Sequence, residues 1–349
     1  MPMRHVNWHG ERPADQVFQE LADFCRATSY DADVFGKGWS LNTFEARVAG
    51  LLGMEGALFL PSGVMAQQIA LRIWADRDGR RTIGMHPSTH VETNEQRAYE
   101  HLHGLHARHL GGKNSPIVAQ DLRDCGEPLG TLLVELPLRR IGGILPSWTE
   151  LQQLLELARA RSIRLHLDGA RLWEAQVYYE RPLNEICARF DSAYVSFYKG
   201  LGGIAGAMLL GSAEFIAEAK VWQRRHGGNL TTLLPLAASA QLNLEKRLGK
   251  MRAYRDRAVS LAGALKTLGN VVIKPDPPQT NMFHLYLNAP QEKLEQAHLR
   301  LMDGDGLKLC TFFLPSDTPG WTYTEVVAGD AMLEFSNDEI VAAYKKLLA

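Results

Sequence analysis

Lys199 and Asp168 are the two residues of this sequence whose type and position could carry out chemistry on a carbonyl compound. Lys199 follows the apolar, β-branched segment 192–198, which predicts a buried strand, and Asp168 follows a second such segment, 162–165. Burial disfavours the charged form of an ammonium group and lowers its pKa, which suits an amine that attacks a carbonyl. The separation of 31 positions is typical of one strand–helix–strand unit. We therefore expect the acid and the amine at one edge of a parallel sheet, where open α/β sheets bind ligands.

The composition indicates a globular chain and argues against several classes of partner. A length of 349 residues is enough for one large domain or two of ordinary size. With 46% hydrophobic residues, 22% charged residues, a net charge of −1 and no long basic run, we expect neither nucleic acid nor a membrane as partner. The start of the chain lacks the apolar core of a signal peptide, and the four cysteines are widely scattered, so we expect free thiols in the cytoplasm.

A group of histidines is the one pattern that suggests a metal site. It lies near a predicted helix end and strand and comprises His101, His103, His106 and His109. We interpret it as a solvated, polar helix face and predict no metal ligand.

Strand and helix patterns alternate along most of the chain, which predicts an α/β domain with a mostly parallel sheet. The expected strands are 57–60, 82–85, 131–135, 164–167 and 192–198, and the expected helices are 15–27, 41–52, 64–74, 92–102, 147–160 and 172–190. Segment 204–210 is expected to pair with the strand before Lys199. After a long helical stretch, 232–268, the remainder predicts a small α+β domain with the order strand, helix, strand, strand, helix. We place the large domain at 14–245 and the small one at 246–349, with segment 1–13 packed on the latter.

Two further positions fit chemistry on a carbonyl with a phosphorylated group. Ser62, Gly63 and Val64 lie between a predicted strand and a helix N-terminus, where free backbone N–H groups and the helix dipole attract a phosphate. His90 follows the next strand, with Glu95 five positions later.

Each of these features alone has a structural interpretation. Many strand-to-helix turns use Ser-Gly, and a histidine near a strand end is often a satisfied polar residue. Asp168 alone could be a helix N-cap, and Lys199 alone could extend its amine to solvent. Their joint occurrence, in this order and on these elements, favours a single site.

Several motifs resemble the threonine aldolase and β-eliminating lyase family of pyridoxal-phosphate enzymes. Asp-Gly-Ala-Arg at 168–171 and Lys-Gly-Leu-Gly at 199–202 are the most specific of them at this separation. Further matches are the His90–Glu95 spacing and the blocks 33–36, 41–46, 57–63 and 279–282. The resemblance implies the fold type I architecture of pyridoxal-phosphate-dependent transferases, with a large domain of mostly parallel, mixed sheet flanked by helices and a small C-terminal α+β domain.

The resemblance also implies a role for each residue around the cofactor ring. Lys199 would bind the aldehyde of the cofactor, and Asp168 would bond the pyridine nitrogen and keep it protonated. An anion facing that nitrogen raises its pKa, and a cationic ring is the better electron sink. His90 would stack on the ring.

The same resemblance implies residues that bind the cofactor phosphate and the substrate carboxylate. Ser62, Gly63 and the N–H of Val64 would bind the cofactor phosphate, to which Ser196 would add a hydroxyl. Arg171 would bind the substrate carboxylate with its planar guanidinium.

The chain departs from the family pattern where the reaction would take place. Leu138 stands where the family has a histidine near the substrate hydroxyl, so water, His86 or His90 would have to accept the proton. The strand at 321–327 lacks the family arginine that also binds the substrate carboxylate. Other candidates for that task are Arg139, Arg140 and Arg225.

The implied reaction is cleavage of a β-hydroxy-α-amino acid to glycine and an aldehyde. Two alternatives stay open: another pyridoxal-phosphate reaction, such as β-elimination, racemisation, decarboxylation or amino transfer, and a cofactor-binding protein without turnover. The resemblance implies a homodimer or a homotetramer made of dimers, with active sites at the dimer interface.

Overall fold

The computed structural model describes residues 3–349, so Met1 and Pro2, the first residues of the predicted N-terminal segment, lie outside the described residues. The strands are β1 (Arg4–His5), β2 (Gly56–Leu60), β3 (Thr82–Met85), β4 (His106–His109), β5 (Thr131–Glu135), β6 (Arg164–Gly169), β7 (Ser192–Ser196), β8 (Ala207–Gly211), β9 (Val271–Lys274), β10 (Met282–Leu287), β11 (Leu307–Lys308), β12 (Leu314–Pro315) and β13 (Thr322–Val327).

Helices connect most of these strands. The α-helices are α1 (Ala14–Thr28), α2 (Trp39–Leu52), α3 (Gly63–Asp78), α4 (His90–Thr93), α5 (Ala98–His103), α6 (Ala119–Arg123), α7 (Trp148–Ala160), α8 (Leu172–Tyr179), α9 (Leu183–Cys187), α10 (Ala213–Arg225), α11 (Leu234–Arg247), α12 (Met251–Leu265), α13 (Gln291–Asp305) and α14 (Asn337–Leu348). None of the helices between residues 3 and 349 has the length and apolar character needed to cross a bilayer.

The chain divides into two compact units. The larger comprises residues 14–140 and 145–248, and the smaller comprises residues 3–13, 141–144 and 249–349. The predicted domain bounds, 14–245 and 246–349, stay a prediction.

The larger unit is built on a seven-stranded sheet with the order β2-β8-β7-β6-β5-β3-β4. Strands β4, β3, β5, β6 and β7 are parallel, whereas β8 is antiparallel to both of its neighbours, β7 and β2. The sheet is therefore mixed and mostly parallel, with helices between successive strands, and the predicted fold class is confirmed.

The sheet is stable because its central strands are apolar and covered on both faces. Every residue of β5, β7 and β8 is buried, as expected for parallel strands between layers of helices. Helix α3 packs its apolar face on one side, where Ile69, Ala70 and Ile73 join residues of β2 and β8 in one cluster. Because α3 begins directly after β2, this packing also fixes the N-terminus of the helix at the sheet edge.

Two predicted helices are each broken into two, and both breaks have a backbone cause. The stretch 92–102 is interrupted because Gln96 and Arg97 take left-handed conformations (φ 54° for both). The stretch 172–190 ends at Glu180, also left-handed (φ 53°), and Pro182 then precedes α9. The apolar periodicity continues through both breaks, which is why the sequence pattern did not indicate them.

The group of four histidines was interpreted as solvated, and for His103 this is wrong. His101, His106 and His109 are exposed, but His103 is buried with its ring against Trp222 and His226. Burial lowers the pKa of His103 to about 4, so this imidazole is neutral at physiological pH.

The smaller unit contains a four-stranded antiparallel sheet with the order β12-β13-β10-β9. Strands β1 and β11 form a separate parallel pair, and helices α12, α13 and α14 belong to the same unit. The predicted strand–helix order omitted two strands, because two strands, β9 and β10, precede α13 and three, β11, β12 and β13, follow it.

Gly206, at the start of β8, provides a test of the core of the larger unit. Its φ is +107°, and an added methyl group would overlap the ring of Phe59. We expect Gly206→Ala to lower the free energy of unfolding by about 1–3 kcal/mol through overpacking and backbone strain. Gly50→Ala, on an open face of α2, is the matched control and should raise it by about 0.5–1 kcal/mol. Urea titration of both variants checks this, and equal effects would contradict it.

Candidate active site

Three neighbouring parallel strands, β5, β6 and β7, end side by side with polar residues. In the strand register, Glu135 pairs with Asp168 and Asp168 pairs with Tyr194. Ser196 is the last residue of β7. Glu135, Asp168 and Ser196 are all buried, with 8%, 1% and 0% of their surface exposed. The sheet therefore gathers two carboxyl groups and a hydroxyl at its carboxyl edge, as the sequence predicted for Asp168.

Lys199 lies in a loop and not at the end of a strand, because β7 ends three residues before it, at Ser196. The loop is held by its own backbone: Phe197 N donates to Gly206 O (3.1 Å), and Gly203 N donates to Phe197 O (2.8 Å). A third bond, from Gly202 N to Lys199 O (2.9 Å), closes a turn around the lysine. These bonds fix the backbone from which the amine projects.

Aromatic rings anchor this loop to the core. The ring of Phe197 lies 5.3 Å from Phe44, 6.1 Å from Phe59 and 6.0 Å from Trp173, measured between centroids. Trp173 Nε1 also donates to Ser196 O (2.8 Å). Packing of this density restrains the residues on either side of Phe197, including the lysine two positions later.

The charges at this edge alter one another's protonation. Burial and, to a smaller extent, the charge of Arg171 lower the pKa of Lys199 to about 8 against the opposing charges of Asp168 and Glu135. Burial and, to a smaller extent, the nearby Glu135 raise the pKa of Asp168 to about 7 against the opposing charges of Lys199 and His90. The structure thus brings together Lys199, Asp168, His90 and Arg171, four of the predicted site residues.

His90 is oriented by a buried carboxylate. Its Nδ1 lies 3.0 Å from Glu95 Oε1, and Glu95 Oε2 accepts from Gln68 Nε2 (3.0 Å). The backbone N of His90 donates to Glu135 Oε2 (2.9 Å). A carboxylate at Nδ1 favours the tautomer with its proton there, so Nε2 carries the lone pair.

The start of α3 is the turn for which the sequence predicted a phosphate-binding role. Ser62 caps the helix, with its Oγ accepting from Met65 N (3.3 Å), and the first-turn N–H groups have no acceptor within the helix. A methyl group at Gly63 would overlap the hydroxyl of Tyr194. Glycine is therefore required here by the approach of β7, and Val64 follows it, with 38% of its surface exposed.

Arg171 and Glu174 form the other side of the site. Arg171 precedes α8 and is buried, with 6% of its surface exposed, and its charge affects both Lys199 and Glu174. Glu174 was not predicted as a site residue. The signal in the sequence was a single carboxyl in the largely apolar stretch 172–179.

Of the three other arginines predicted as candidates to bind the substrate carboxylate, one is near Lys199 and two make contacts elsewhere. Arg139 N donates to Glu135 Oε1 (3.2 Å), and the charge of Arg139 also lowers the pKa of Lys199. Arg140 donates to Asn94 Oδ1 (3.3 Å), and Arg225 lies over the ring of Trp222, 4.4 Å from its centroid.

At the position where the family has a histidine, this chain has the apolar residue Leu138. Leu138 is buried, and it lines a small cavity together with His86 and Glu135. His86 cannot replace the missing group, because its Nε2 faces Gly112 O (2.8 Å) and its Nδ1 accepts from Ser88 N (3.1 Å). Both ring nitrogens of this histidine are used in holding its own loop.

The arrangement fits pyridoxal phosphate on its own chemistry. A buried carboxyl with a raised pKa is relieved by a protonated ring nitrogen, which supplies the missing positive charge. An amine with a lowered pKa is available as the free base that an aldehyde requires. The turn at Gly63, open at a helix N-terminus, suits a phosphate. Asp168, Lys199 and the turn at 62–64 are therefore the residues that would hold the cofactor.

Comparison with known proteins gives one matching family and several similar structures. The model of the β-eliminating lyases matches residues 16–289. A solved structure from Listeria monocytogenes EGD-E, described as a candidate L-allo-threonine aldolase, is 38% identical with a TM-score of 0.92 and covers 99% of this chain and 95% of that chain. One from Exiguobacterium sp. 255-15, described as a candidate aromatic amino acid β-eliminating lyase/threonine aldolase, is 37% identical with a TM-score of 0.92 and covers 99% and 96%.

A curated relative extends the comparison to plants. Low-specificity L-threonine aldolase 1 of Arabidopsis thaliana is 27% identical over 300 residues, which is 82% of this chain and 82% of that protein.

Asp168→Asn tests the charge at the centre of the site. In the cofactor-free protein the folded-state pKa of Asp168 is raised from 3.8 to about 7, so its stabilising contribution is fully present below pH 3.8 and is lost as the pH rises through 7. We expect the melting temperature of the variant minus that of the wild type to increase by at least about 2 °C between pH 5.5 and pH 8.

Loading with pyridoxal phosphate should reverse the order at pH 8, because the cofactor nitrogen then stabilises the Asp168 anion. Glu156→Gln removes a carboxylate from an exposed position of α7 and is the control, with no such pH dependence expected. Parallel melting curves for Asp168→Asn and wild type in both forms would contradict the assignment.

Proposed function

Because the chain belongs to the β-eliminating lyase family, we propose that it is a pyridoxal-phosphate lyase of the threonine aldolase type. The match confirms the resemblance carried by the sequence motifs. The proposed reaction cleaves a β-hydroxy-α-amino acid to glycine and an aldehyde. The observation that carries the proposal is the pairing of a low-pKa amine, Lys199, with the buried carboxyl of Asp168 at one sheet edge.

Pyridoxal phosphate, when bound, supplies an electron sink for the electron pair left at the substrate Cα. The residues of the chain hold it for that purpose. Lys199 would hold the cofactor at its aldehyde group, and Asp168 would hold a proton at its ring nitrogen. Ser62, Gly63 and the N–H of Val64 would bind its phosphate, Ser196 would add a hydroxyl, and His90 would stack on its ring.

Arg171 orients the substrate. Its guanidinium would bind the α-carboxylate in a bidentate fashion, and this contact would select which bond at Cα is cleaved. For aldol cleavage that bond is Cα–Cβ. Arg139, whose charge also lowers the pKa of Lys199, is the candidate for a second cation that binds the carboxylate.

The proton of the substrate hydroxyl needs an acceptor other than position 138. Leu138 cannot accept a proton, and both ring nitrogens of His86 are used elsewhere. His90 presents Nε2 with its lone pair, because Glu95 holds the proton on Nδ1. We assign the proton transfer to His90 Nε2, directly or through one water.

Product analysis with loaded enzyme tests the reaction. We expect glycine and the matching aldehyde from at least one of threonine, allo-threonine and phenylserine. Lys199→Ala and Lys199→Arg should both lower kcat by at least about 10²-fold, because neither provides an amine that exchanges protons near neutral pH. Release of pyruvate from serine without any aldehyde would favour β-elimination, and an unchanged absorbance spectrum on addition of every amino acid would favour binding without turnover.

We also propose assembly into a homodimer or a homotetramer made of dimers, with active sites at the dimer interface. Support comes from the turn at 33–37, where Asp33 accepts from Gly36 N (3.0 Å) and holds Phe35 in a left-handed conformation (φ 49°). This turn exposes Val34 and Phe35, and Trp39 beyond it has 71% of its surface exposed. Phe35 also lines a cavity of about 530 Å³. Exposed apolar residues at such density mark an interaction surface.

Sedimentation tests the assembly. Trp39→Glu should raise the dimer dissociation constant at least about 10-fold by placing a charge in the contact. Leu299→Glu changes an exposed leucine of α13 in the same way and is the control. A wild-type monomer at micromolar concentration would contradict the proposal. The four cysteines are all free thiols, which supports the proposed cytoplasmic location.

A further inference from the structure

Glu174 is a buried acid for which the proposed reaction has no use. It lies in the first turn of α8, where its backbone N donates to Arg171 O (3.2 Å), and 2% of its surface is exposed. Among the described residues, neither of its carboxyl oxygens has a hydrogen-bond partner. A carboxyl group buried in this way costs stability, so its retention at this position calls for a function.

The position of this carboxyl is fixed by the lysine loop. An added methyl group at Gly200 would overlap Glu174 Oε1, so the carboxyl packs against the backbone of the residue next to Lys199. The side chain therefore points from α8 into the same region as the amine.

Two cations face Glu174. Burial raises the pKa of Glu174 to about 7, and the charge of Arg171, on the same helix end, opposes this more strongly than the charge of Lys199, from the loop. Lys199 in turn faces Asp168 and Glu135 from the strand ends. Arg171 is therefore the cation that Glu174 balances, since Lys199 already has two carboxylates of its own.

We propose that Glu174 is an exchangeable counter-ion of Arg171: its carboxylate balances the guanidinium in the substrate-free site, and it takes up one proton from solvent when an amino acid carboxylate binds to Arg171. Two carboxylates and one guanidinium in a region that excludes water would leave one negative charge uncompensated. Protonation of Glu174 removes that charge. Glu174 is thus a positioning residue that acts through Arg171, and the inference rests on the proposed function because it takes Arg171 as the carboxylate ligand.

The inference predicts a specific pH dependence of substrate binding. In the wild type, binding of a carboxylate becomes weaker as the pH rises above 7. Glu174 is then ionised in the free enzyme and must take up a proton, whose concentration in solvent falls as the pH rises. Glu174→Gln has the same shape and needs no proton. The ratio of the wild-type Kd to the variant Kd for one ligand should therefore rise about tenfold between pH 6 and pH 8.

Glycine binding to the loaded enzyme, followed by the change in cofactor absorbance, measures this ratio. Glu156→Gln, which removes an exposed carboxylate, should give a constant ratio over the same range. Glu174→Asp keeps the acid and should keep the wild-type pH dependence. A ratio for Glu174→Gln that stays constant from pH 6 to pH 8 would overturn the inference.

Arg171→Gln separates this result from the proposed function. If its affinity for glycine equals that of the wild type, Arg171 does not bind the carboxylate, and the substrate assignment fails. If Arg171→Gln weakens glycine binding and Glu174→Gln has no pH effect, the inference alone fails. Should Glu174→Gln not fold, proton uptake by the wild type on glycine binding at pH 8, compared with Arg171→Gln, decides: equal uptake in the two contradicts the inference, and a greater uptake in the wild type supports it.

Discussion

Removal of water from opposite charges at the carboxyl edge of the sheet is the constraint on which the rest of the larger unit depends. Asp168 and Glu135 end adjacent strands, and Lys199 and Arg171 project toward them from the segments that follow β7 and β6. A buried acid alone would be protonated and a buried amine alone would be neutral, so the protonation state of each group depends on the charges of the others. The buried apolar strands and the aromatic cluster around Phe197 exclude water from the side of the site that faces the core.

This charge arrangement also explains why the site combines rigid and adjustable parts. Asp168 is fixed by a strand, and the lysine loop is fixed by its own backbone bonds and by packing of Phe197. Glu174, by contrast, is held by packing against Gly200 without a hydrogen bond to its carboxyl oxygens in the described part of the chain. Such a group can change its protonation without breaking a structural bond, whereas Glu135, which accepts three hydrogen bonds, cannot.

Strand periodicity and two short motifs were enough to predict the fold class and the family, and both are confirmed. Strands buried on both faces produce continuous apolar runs that are visible in sequence, as for β5 and β7. The breaks at Arg97 and Glu180 were missed because a single left-handed residue leaves the apolar periodicity unchanged. The roles of Lys199, Asp168, His90 and Ser62 stay predictions. Glu174 was missed because the lysine loop, against which its carboxyl packs, comes next to α8 only in the folded chain.

A buried chain of hydrogen bonds behind the site has a consequence for ligand size. On the face of the sheet that carries Asp168, His166 bonds Gln67 of α3 (2.7 Å) and Ser192 of β7 (2.8 Å). Trp74, two turns further along α3, donates to the same serine (2.8 Å). These bonds prevent α3 from sliding along the strands, so the span from the helix N-terminus to Asp168 is constant. The protein therefore selects ligands by length. A molecule longer or shorter than this span could contact the N-terminus of α3 or Asp168, but not both.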